Sequence, residues 1–272
     1  MQSIYKSSLE SQLPLITIVT VVKNGRNFIQ ETMNSVFFQE YENIEYIVVD
    51  GCSSDGTSEI IHQNIDKIDF LICEKDDGIY SAMNKGINVA NGVFIGFLNA
   101  SDVLHPNAIL NLVNAFKKND FDFSLGSAEI EDLHTGKTYI SQPLESLAIH
   151  SGQYIEMPSP HLAIYIKTKL IKDLGKFDVQ YKLSADYDLM LKVINGGYKA
   201  WYFNQPVGIF RLGGLSGSLR THIENFSILQ KYKIPLYKVI FITGRSILVL
   251  AIQKILTEDS FNRLKYYFTR NN

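Results

Sequence analysis

Residues 45–57 read EYIVVDGCSSDGT, a run of β-branched and aromatic residues followed at once by Asp, Ser and Gly. The apolar part lacks a clean alternation of apolar and polar residues, which predicts a strand covered on both faces of a sheet. Similar runs occur at 15–22, 70–74 and 93–98. Apolar residues at helical spacing lie between the runs, so the pattern predicts strand and helix in alternation. This order indicates an α/β fold with a doubly wound, mostly parallel sheet.

Polar residues directly follow each of the four apolar runs. The loops are Lys23–Gly25, Asp50–Thr57, Glu74–Gly78 and Asn99–Asp102. Each loop alone is explained by turns and helix caps, for which Asp, Asn, Ser and Gly are suited. The carboxyl ends of parallel strands share one edge of the sheet, however, and ligands bind at that edge. Four such loops in succession therefore favour a polar site with room for a metal ion.

The composition indicates a globular protein and excludes several classes. The chain has 272 residues, of which 46% are hydrophobic and 20% charged, enough apolar material for a sizeable core. A net charge of −2 gives no support for a nucleic-acid partner. Two cysteines exclude a disulfide scaffold, and together with an N-terminus lacking a signal-peptide pattern they predict a cytoplasmic location. Neither a P-loop nor a GxGxxG motif is present, which argues against an ATPase or a dinucleotide oxidoreductase.

The charge is unevenly distributed along the chain. Residues 217–272 contain nine Lys or Arg and three Asp or Glu, a net charge of +6, whereas residues 1–216 carry −8. Within this tail, residues 236–256 are apolar but interrupted by lysine and arginine, which predicts a basic amphipathic helix rather than a membrane span. We expect the tail to make peripheral contact with an anionic membrane. A homodimer interface and packing against the preceding domain are the alternatives.

Five motifs in order resemble those of a known family. They are TVVKN at 20–24, VVDGCSSDGT at 48–57, EKDDGIYSAMNKGI at 74–87, GFLNASD at 96–102 and SADYDLMLKV at 184–193. The chain resembles glycosyltransferase family 2, the inverting enzymes of the GT-A fold, and within it the branch that builds bacterial surface polysaccharides, similar to colanic acid glycosyltransferases. The resemblance implies a catalytic domain over 1–216, divided into a nucleotide-sugar-binding half (1–119) and an acceptor half (120–216), before the helical appendage at 217–272.

The resemblance implies that a nucleotide-diphosphate sugar binds the first half as donor and that a saccharide, free or lipid-linked, is the acceptor. Asp50 and Asp76 correspond to contacts with the base or ribose, and Lys85 to a contact with the base or a phosphate. Asp50 as a turn cap, Lys85 as an exposed helical lysine and His161 as a structural histidine are the alternatives. The expected donor-binding residues are Thr20, Asn24, Asp50, Asp76, Lys85, Asn99 and His161.

The segment after the fourth strand corresponds to the family's metal site. Many relatives carry two or three carboxylates there, whereas this chain reads Asn99-Ala100-Ser101-Asp102 and keeps only Asp102. One carboxylate with donor phosphates and waters is a reasonable ligand set for Mg²⁺ or Mn²⁺. Alternatively, Asp102 caps a helix beginning near Pro106, and the chain is a non-catalytic nucleotide-sugar-binding protein of the same fold.

The resemblance implies that Asp186 is the general base that deprotonates the acceptor hydroxyl. Asp188 follows two residues later, and the residue before Asp186 is Ala185 where the family usually has Glu, so the choice between the two aspartates stays open. Both also suit the first turn of a helix, where carboxylates interact favourably with the helix dipole. Arg211 and Arg220 are candidates for positive charge near the leaving diphosphate.

Overall fold

The computed structural model describes residues 13–133, 136–144, 157–212, 219–232, 234 and 237. The chain divides into two compact units, residues 1–213 and 214–272. In the second unit the described structure is one helix, Leu219–Lys231. Of the predicted amphipathic segment at 236–256, all but Tyr237 lies outside the described residues. Among the described residues, no helix combines the length and the apolar character needed to cross a membrane.

The first unit is built on a nine-stranded mixed sheet. The strand order is β3-β2-β1-β4-β8-β6-β9-β5, and β7 pairs with β6 beside this path. The strands are β1 (Ile16–Val22), β2 (Ile44–Asp50), β3 (Phe70–Cys73), β4 (Phe94–Asn99), β5 (Val103–Leu104), β6 (Phe123–Asp132), β7 (Lys137–Ser141), β8 (Ile164–Lys167) and β9 (Ala200–Leu212).

Helices connect most of these strands. They are α1 (Ile29–Phe37), α2 (Thr57–His62), α3 (Ile79–Val89), α4 (Ala108–Lys118), α5 (Thr168–Asp173), α6 (Ala185–Asn195) and, in the second unit, α7 (Leu219–Lys231). Two short 3₁₀ turns cover Ile65–Lys67 and His161–Ala163. The structure thus confirms the four predicted strands and the helix predicted after each of the first three.

The N-terminal half of the sheet is parallel, as predicted, and the rest of the sheet contains both parallel and antiparallel pairs. Strands β1–β4 are all parallel, in the order β3-β2-β1-β4. Beyond β4, β8 is antiparallel to both β4 and β6, whereas β9 is parallel to β6. The alternation of strands and helices therefore predicted strand direction correctly only in the first half.

Helices cover both faces of the parallel half. Ile16 and Ile18 of β1 belong to a buried cluster with Met33 of α1 and Ile109 of α4. Val19 points to the opposite face, where it lies against Gly86 of α3. Successive residues of a strand face opposite sides of a sheet, so a strand buried on both faces needs apolar residues at nearly every position. All seven residues of β1 are buried, which explains why all but Thr17 and Thr20 are apolar.

Candidate active site

The loops after β1 and β2 are joined by hydrogen bonds at the carboxyl edge of the sheet. The backbone N–H of Asn24 donates to Oγ of Ser53 at 2.8 Å, and the Asn24 side-chain oxygen accepts from the N–H of Ser54 at 2.9 Å. Asn24 has a positive φ of 54°, which asparagine tolerates better than most residues. Its side chain is exposed at the loop, in reach of a ligand.

Asp50 is a buried residue that shapes the loop after β2. Only 1% of it is exposed. Its Oδ1 accepts from the N–H and hydroxyl of Ser53 at 3.0 and 2.6 Å, and its Oδ2 accepts from the Ser58 hydroxyl. Without a ligand, both carboxylate oxygens therefore serve the loop. The donor contact expected of Asp50 stays a prediction beside this structural role.

Asp76 lies next to the Asp50 loop. A side chain added at Gly51 would collide with Oδ2 of Asp76, so the carboxylate sits directly against the Gly51 backbone. Asp76 is half-buried and accepts from the N–H of Gly78 at 3.1 Å. Lys85 reaches the same region, where its Nζ donates to the carbonyl of Lys75 at 2.8 Å and lies 3.2 Å from Glu74. The expected contacts after β2 and β3 are thus neighbours in space.

The loop after β4 holds Asp102 in a fixed position. Asp102 is 1% exposed, and its Oδ1 accepts from the backbone N–H of Arg211 at 3.2 Å. Its carbonyl accepts from the Thr32 hydroxyl at 2.9 Å. The alternative role as a helix cap is not seen, because α4 begins after Asn107 and Asp102 does not bond to its first turn. A Cβ at Gly25 would lie 3.3 Å from Ala100, which places this loop beside the loop after β1.

His161 lies between Asp102 and Asp186. Its Nε2 is 3.2 Å from Oδ2 of Asp102, close enough for an ion pair, although neither buried atom makes a well-aligned hydrogen bond. The ring packs edge-on against Phe210 at 5.2 Å. Burial lowers the pKa of His161, but the carboxylates of Asp102 and Asp186 raise it, and the resulting pKa lies above the ordinary value.

Asp186 opens helix α6 and borders a small cavity of about 30 Å³. Its Oδ1 accepts from the Tyr80 hydroxyl at 2.8 Å and from the N–H of Tyr187 at 2.9 Å. Burial raises the pKa of Asp186. The hydrogen bond from Tyr80, the charge of His161 and the N–H of Tyr187 lower the pKa, but the effect of burial is larger. Asp186 keeps some solvent exposure. The cavity is lined by Phe97, His161, Ile164, Ile166, Phe177, Asp186, Leu189 and Met190.

Asp188 differs from Asp186 in its surroundings. It is fully buried, and its Oδ2 lies 2.9 Å from Nζ of Lys192, one turn later on the same helix. A carboxylate held in this way has no path to an acceptor, which favours Asp186 as the base.

Thr20 is the expected donor-binding residue that the structure does not bring to the site. Its side chain is completely buried, and its Oγ1 accepts from the Tyr46 hydroxyl at 3.0 Å between β1 and β2. The prediction is therefore corrected, because Thr20 faces the core side of β1 and not the loop at its end. Its motif neighbour Asn24 does lie at the edge of the sheet.

The comparison with protein families decides the class. The model described as glycosyl transferase family 2 matches residues 17–173, more than half of the chain. The chain belongs to this family. Its match covers all four strands and loops of the parallel half, together with Asp102 and His161.

Curated relatives within family 2 are named glycosyltransferases. An uncharacterized glycosyltransferase of Rickettsia prowazekii is 33% identical over 202 residues, which cover 71% of this chain and 62% of that protein. The chain thus spans less than two thirds of this relative. A putative teichuronic acid biosynthesis glycosyltransferase of Bacillus subtilis is 37% identical over 92 residues, 33% of this chain and 36% of that protein.

Solved structures of similar fold confirm the GT-A prediction. S. aureus TarS residues 1–349, in complex with UDP-GlcNAc, match with a TM-score of 0.63 and 15% identity, covering 86% of this chain and 71% of that one. The mannosyltransferase PcManGT of Pyrobaculum calidifontis, in complex with GDP-Man and Mn²⁺, matches with a TM-score of 0.62 and 16% identity, covering 96% and 81%. At these identities the likeness concerns the fold.

The donor atoms of this family 2 chain fit a divalent cation at the end of β4. Oδ2 of Asp102 and Oδ1 of Asn99 are buried and make no hydrogen bond. Both are hard oxygen donors, the type that Mg²⁺ and Mn²⁺ accept. No group of three or more His, Cys, Asp or Glu suited to a metal occurs in the part of the chain that the structure describes. Asp102 and Asn99 alone leave most coordination positions to other oxygen ligands.

One residue of the site has no role predicted from the sequence. It is Tyr80, which lies in the motif at 74–87 and whose hydroxyl donates a hydrogen bond to Asp186. Arg211, a candidate for positive charge near the leaving diphosphate, pairs through its guanidinium with Glu31 and Glu131. A cavity of about 390 Å³ is lined by residues of α4 and by residues 201–207 of β9, none of which is an expected site residue.

Proposed function

We propose that the chain transfers a sugar from a nucleotide-diphosphate sugar to a saccharide acceptor with inversion, in the synthesis of a cell-surface polysaccharide. The observation that carries the proposal is that Asp186 accepts a hydrogen bond from Tyr80 of the donor half and borders the same cavity as His161, which lies 3.2 Å from Asp102. Membership of family 2 and the relative named for teichuronic acid biosynthesis support the class of reaction.

The donor half supplies the recognition surface. Asn24 and Asp76 lie in the loops after β1 and β3, and Lys85 of α3 reaches the loop after β3, where the nucleoside of the donor would bind. Asp50 keeps the second loop in shape. Aligned loops of this kind at a sheet edge hold the donor with its diphosphate toward the loop after β4.

Asp186 acts as general base on the acceptor. The acceptor hydroxyl gives its proton to the carboxylate while its oxygen forms a bond to the anomeric carbon. The bond from that carbon to the diphosphate oxygen breaks on the opposite side, and the nucleoside diphosphate leaves with the electron pair. Attack from the face opposite the leaving group inverts the configuration. His161, whose Nε2 lies 3.2 Å from Asp102, would lie near the departing diphosphate.

A divalent cation, Mg²⁺ or Mn²⁺, would be held by Asp102 and Asn99 and would offset the charge of the diphosphate. With so few protein ligands, the cation should bind weakly before the donor is present. The structural neighbour PcManGT was solved with GDP-Man and Mn²⁺, which agrees with this expectation.

The proposal also includes contact between the basic tail and a membrane. A net charge of +6 over 217–272 suits an anionic bilayer, where a lipid-linked acceptor would be met. Co-sedimentation with phosphatidylglycerol vesicles at low salt, and its loss at high salt, is the expected result; binding no better than to neutral vesicles would remove this part. Sedimentation equilibrium in the same buffer decides between the monomer and the alternative homodimer.

Two measurements test the catalytic proposal in order. A thermal-shift screen of nucleotide sugars with and without Mn²⁺ identifies the donor, since a ligand of the folded state raises the melting temperature. Release of nucleoside diphosphate by the wild type is then compared with Asp186→Asn and Asp102→Asn. We expect Asp186→Asn to lose about 10²–10⁴-fold in turnover while still binding donor. Asp173→Asn, an exposed aspartate on α5, is the matched control.

The outcomes separate the competing functions. Donor binding without any release of nucleoside diphosphate by the wild type would support the non-catalytic alternative. Full turnover in Asp186→Asn would show that another group is the base. Binding of no nucleotide sugar would remove the proposed function altogether.

A further inference from the structure

Tyr80 joins the two halves of the candidate active site through its hydroxyl. It is the second residue of α3, and it donates to Oδ1 of Asp186, 106 residues away, at 2.8 Å. The N–H of Tyr187 donates to the same oxygen at 2.9 Å. In the described part of the chain, the hydrogen bonds that other residues donate to this carboxylate both go to Oδ1. One oxygen is thus held twice, and the other is left for an acceptor hydroxyl.

The position of the Tyr80 ring is fixed by packing. Tyr80 is 7% exposed, and its ring centre lies 5.3 Å from that of Phe177. Phe177 in turn packs against Phe97 at 5.1 Å. The side chain of Asn84, one turn after Tyr80, makes two hydrogen bonds with the backbone of Phe177. Its nitrogen donates to the carbonyl at 2.9 Å, and its oxygen accepts from the N–H at 3.0 Å. The hydroxyl therefore has little freedom to turn away from Asp186.

Tyr80 is also tied to the donor loop. Gly78, immediately before α3, donates its N–H to Asp76, and Tyr80 follows two residues later. A short, ordered segment thus has the expected donor contact at one end and the contact to the expected base at the other.

We propose that Tyr80 is a positioning residue, which holds the Asp186 carboxylate so that its second oxygen faces the acceptor hydroxyl. This inference rests on the proposed function, in which Asp186 is the base. By this inference, Tyr80 of the donor half orients the expected base, Asp186, of the acceptor half.

The surroundings of Asp186 determine the expected effect of removing the hydroxyl. Burial raises the pKa of Asp186, and Tyr80, His161 and the N–H of Tyr187 act against it. Tyr80 and His161 are the titratable groups that face the carboxylate from other described elements, and the remaining residues of the cavity are apolar. A hydrogen bond donated to a carboxylate favours its ionised form. Loss of the hydroxyl should therefore move the Asp186 titration to higher pH.

The test compares Tyr80→Phe with Tyr165→Phe. Tyr165 is a matched control because its hydroxyl is buried and makes no hydrogen bond in the described structure. Full-length protein labelled with ¹³C at the aspartate carboxyl carbons is titrated, and the Asp186 signal is assigned by its absence in Asp186→Asn. This measurement needs no substrate. We expect the midpoint to rise by about one pH unit in Tyr80→Phe, the effect of one hydrogen bond to a charged group, and to stay in place in Tyr165→Phe.

Turnover with the nucleotide sugar found by thermal shift completes the test. Tyr80→Phe should lower kcat about tenfold, move the acidic limb of the pH profile upward and leave KM for the donor unchanged. In the Asp186→Asn background, Tyr80→Phe should have no further effect on the residual kcat, whereas damage to the fold would lower it again. Unchanged titration and kcat in Tyr80→Phe, beside an inactive Asp186→Asn, would overturn the role of Tyr80 alone. An active Asp186→Asn would instead overturn the base, and the inference with it.

Discussion

The guanidinium group of Arg211 makes two parallel hydrogen bonds to the carboxylate of Glu31, at 2.6 and 2.8 Å. Its Nε donates to Glu131 at 2.8 Å, and Nη1 also reaches the carbonyl of Ser101 at 3.1 Å. The side chain thus connects α1, β6 and the loop after β4, while the Arg211 backbone holds Asp102. With two carboxylates bound, Arg211 acts as a brace for the loop of the candidate metal site.

Replacing Arg211 by lysine should weaken this brace, since lysine cannot reproduce the forked contact. We expect the free energy of unfolding to fall by about 1–2 kcal/mol, because Arg211 is mostly buried but Glu31 is half-exposed. Urea denaturation measures the change. Arg220→Lys is the control: Arg220 is 69% exposed and 3.6 Å from Glu224, so its substitution should cost almost nothing. Equal effects of the two changes would contradict the brace.

The regular part of the fold was predictable because it depends on local pattern. Strands such as β2 are mostly apolar on both faces, and residue types such as Asp and Gly mark where they end. That the loops lie close together followed from the parallel order of the strands alone. The contact between Gly51 and Asp76, in the loops after β2 and β3, agrees with this expectation.

The partners of individual side chains were not predictable in this way. Arg211 and Glu31 are 180 residues apart, and Tyr80 and Asp186 are 106 apart, so only tertiary packing brings them together. Thr20 shows the converse error. It belongs to the motif at 20–24, but the alternation of side chains along β1 points it into the core. Membership of a motif does not say which way a side chain points.

Gly51→Ala should weaken donor binding with little effect on stability. The added methyl group would meet the Asp76 carboxylate, the far end of a side chain that can move aside. A displaced Asp76 loses its expected contact, so we expect the donor Kd to rise about tenfold, the effect of one hydrogen bond. Gly86→Ala provides the contrast, because its methyl group would press on buried Val19 and cost about 1–3 kcal/mol of stability. Calorimetric titration with donor and urea denaturation separate the two effects; tight donor binding by Gly51→Ala would count against Asp76 as a donor contact.

Thr20→Val should affect stability and not donor binding. The substitution leaves the buried Tyr46 hydroxyl without its acceptor, which costs about 1–3 kcal/mol. Removing both hydroxyls in Thr20→Val with Tyr46→Phe should recover most of this loss, since no polar group is then left unpaired. The donor Kd of each folded variant should equal that of the wild type. A selective loss of donor affinity in Thr20→Val would restore Thr20 to the site.

Asp186→Asn should be more stable than the wild type near neutral pH although it is inactive. The pKa of Asp186 is raised in the folded chain above the ordinary 3.8, chiefly by burial, so the unfolded state loses this proton first as the pH rises. Stability contributed by the protonated carboxyl is complete below about pH 3.8 and is lost as the pH rises through the folded pKa. Asparagine does not ionise, and its side-chain oxygen still accepts from Tyr80 and Tyr187. The gain in free energy of unfolding over wild type should therefore grow between pH 3.8 and the folded pKa and stay constant above it.

Urea denaturation from pH 3.5 to 8 measures this difference, with Asp173→Asn as an exposed reference. A difference that shrinks with rising pH would mean that the fold favours the ionised carboxylate, as expected of a structural ion pair and not of a base kept partly out of water.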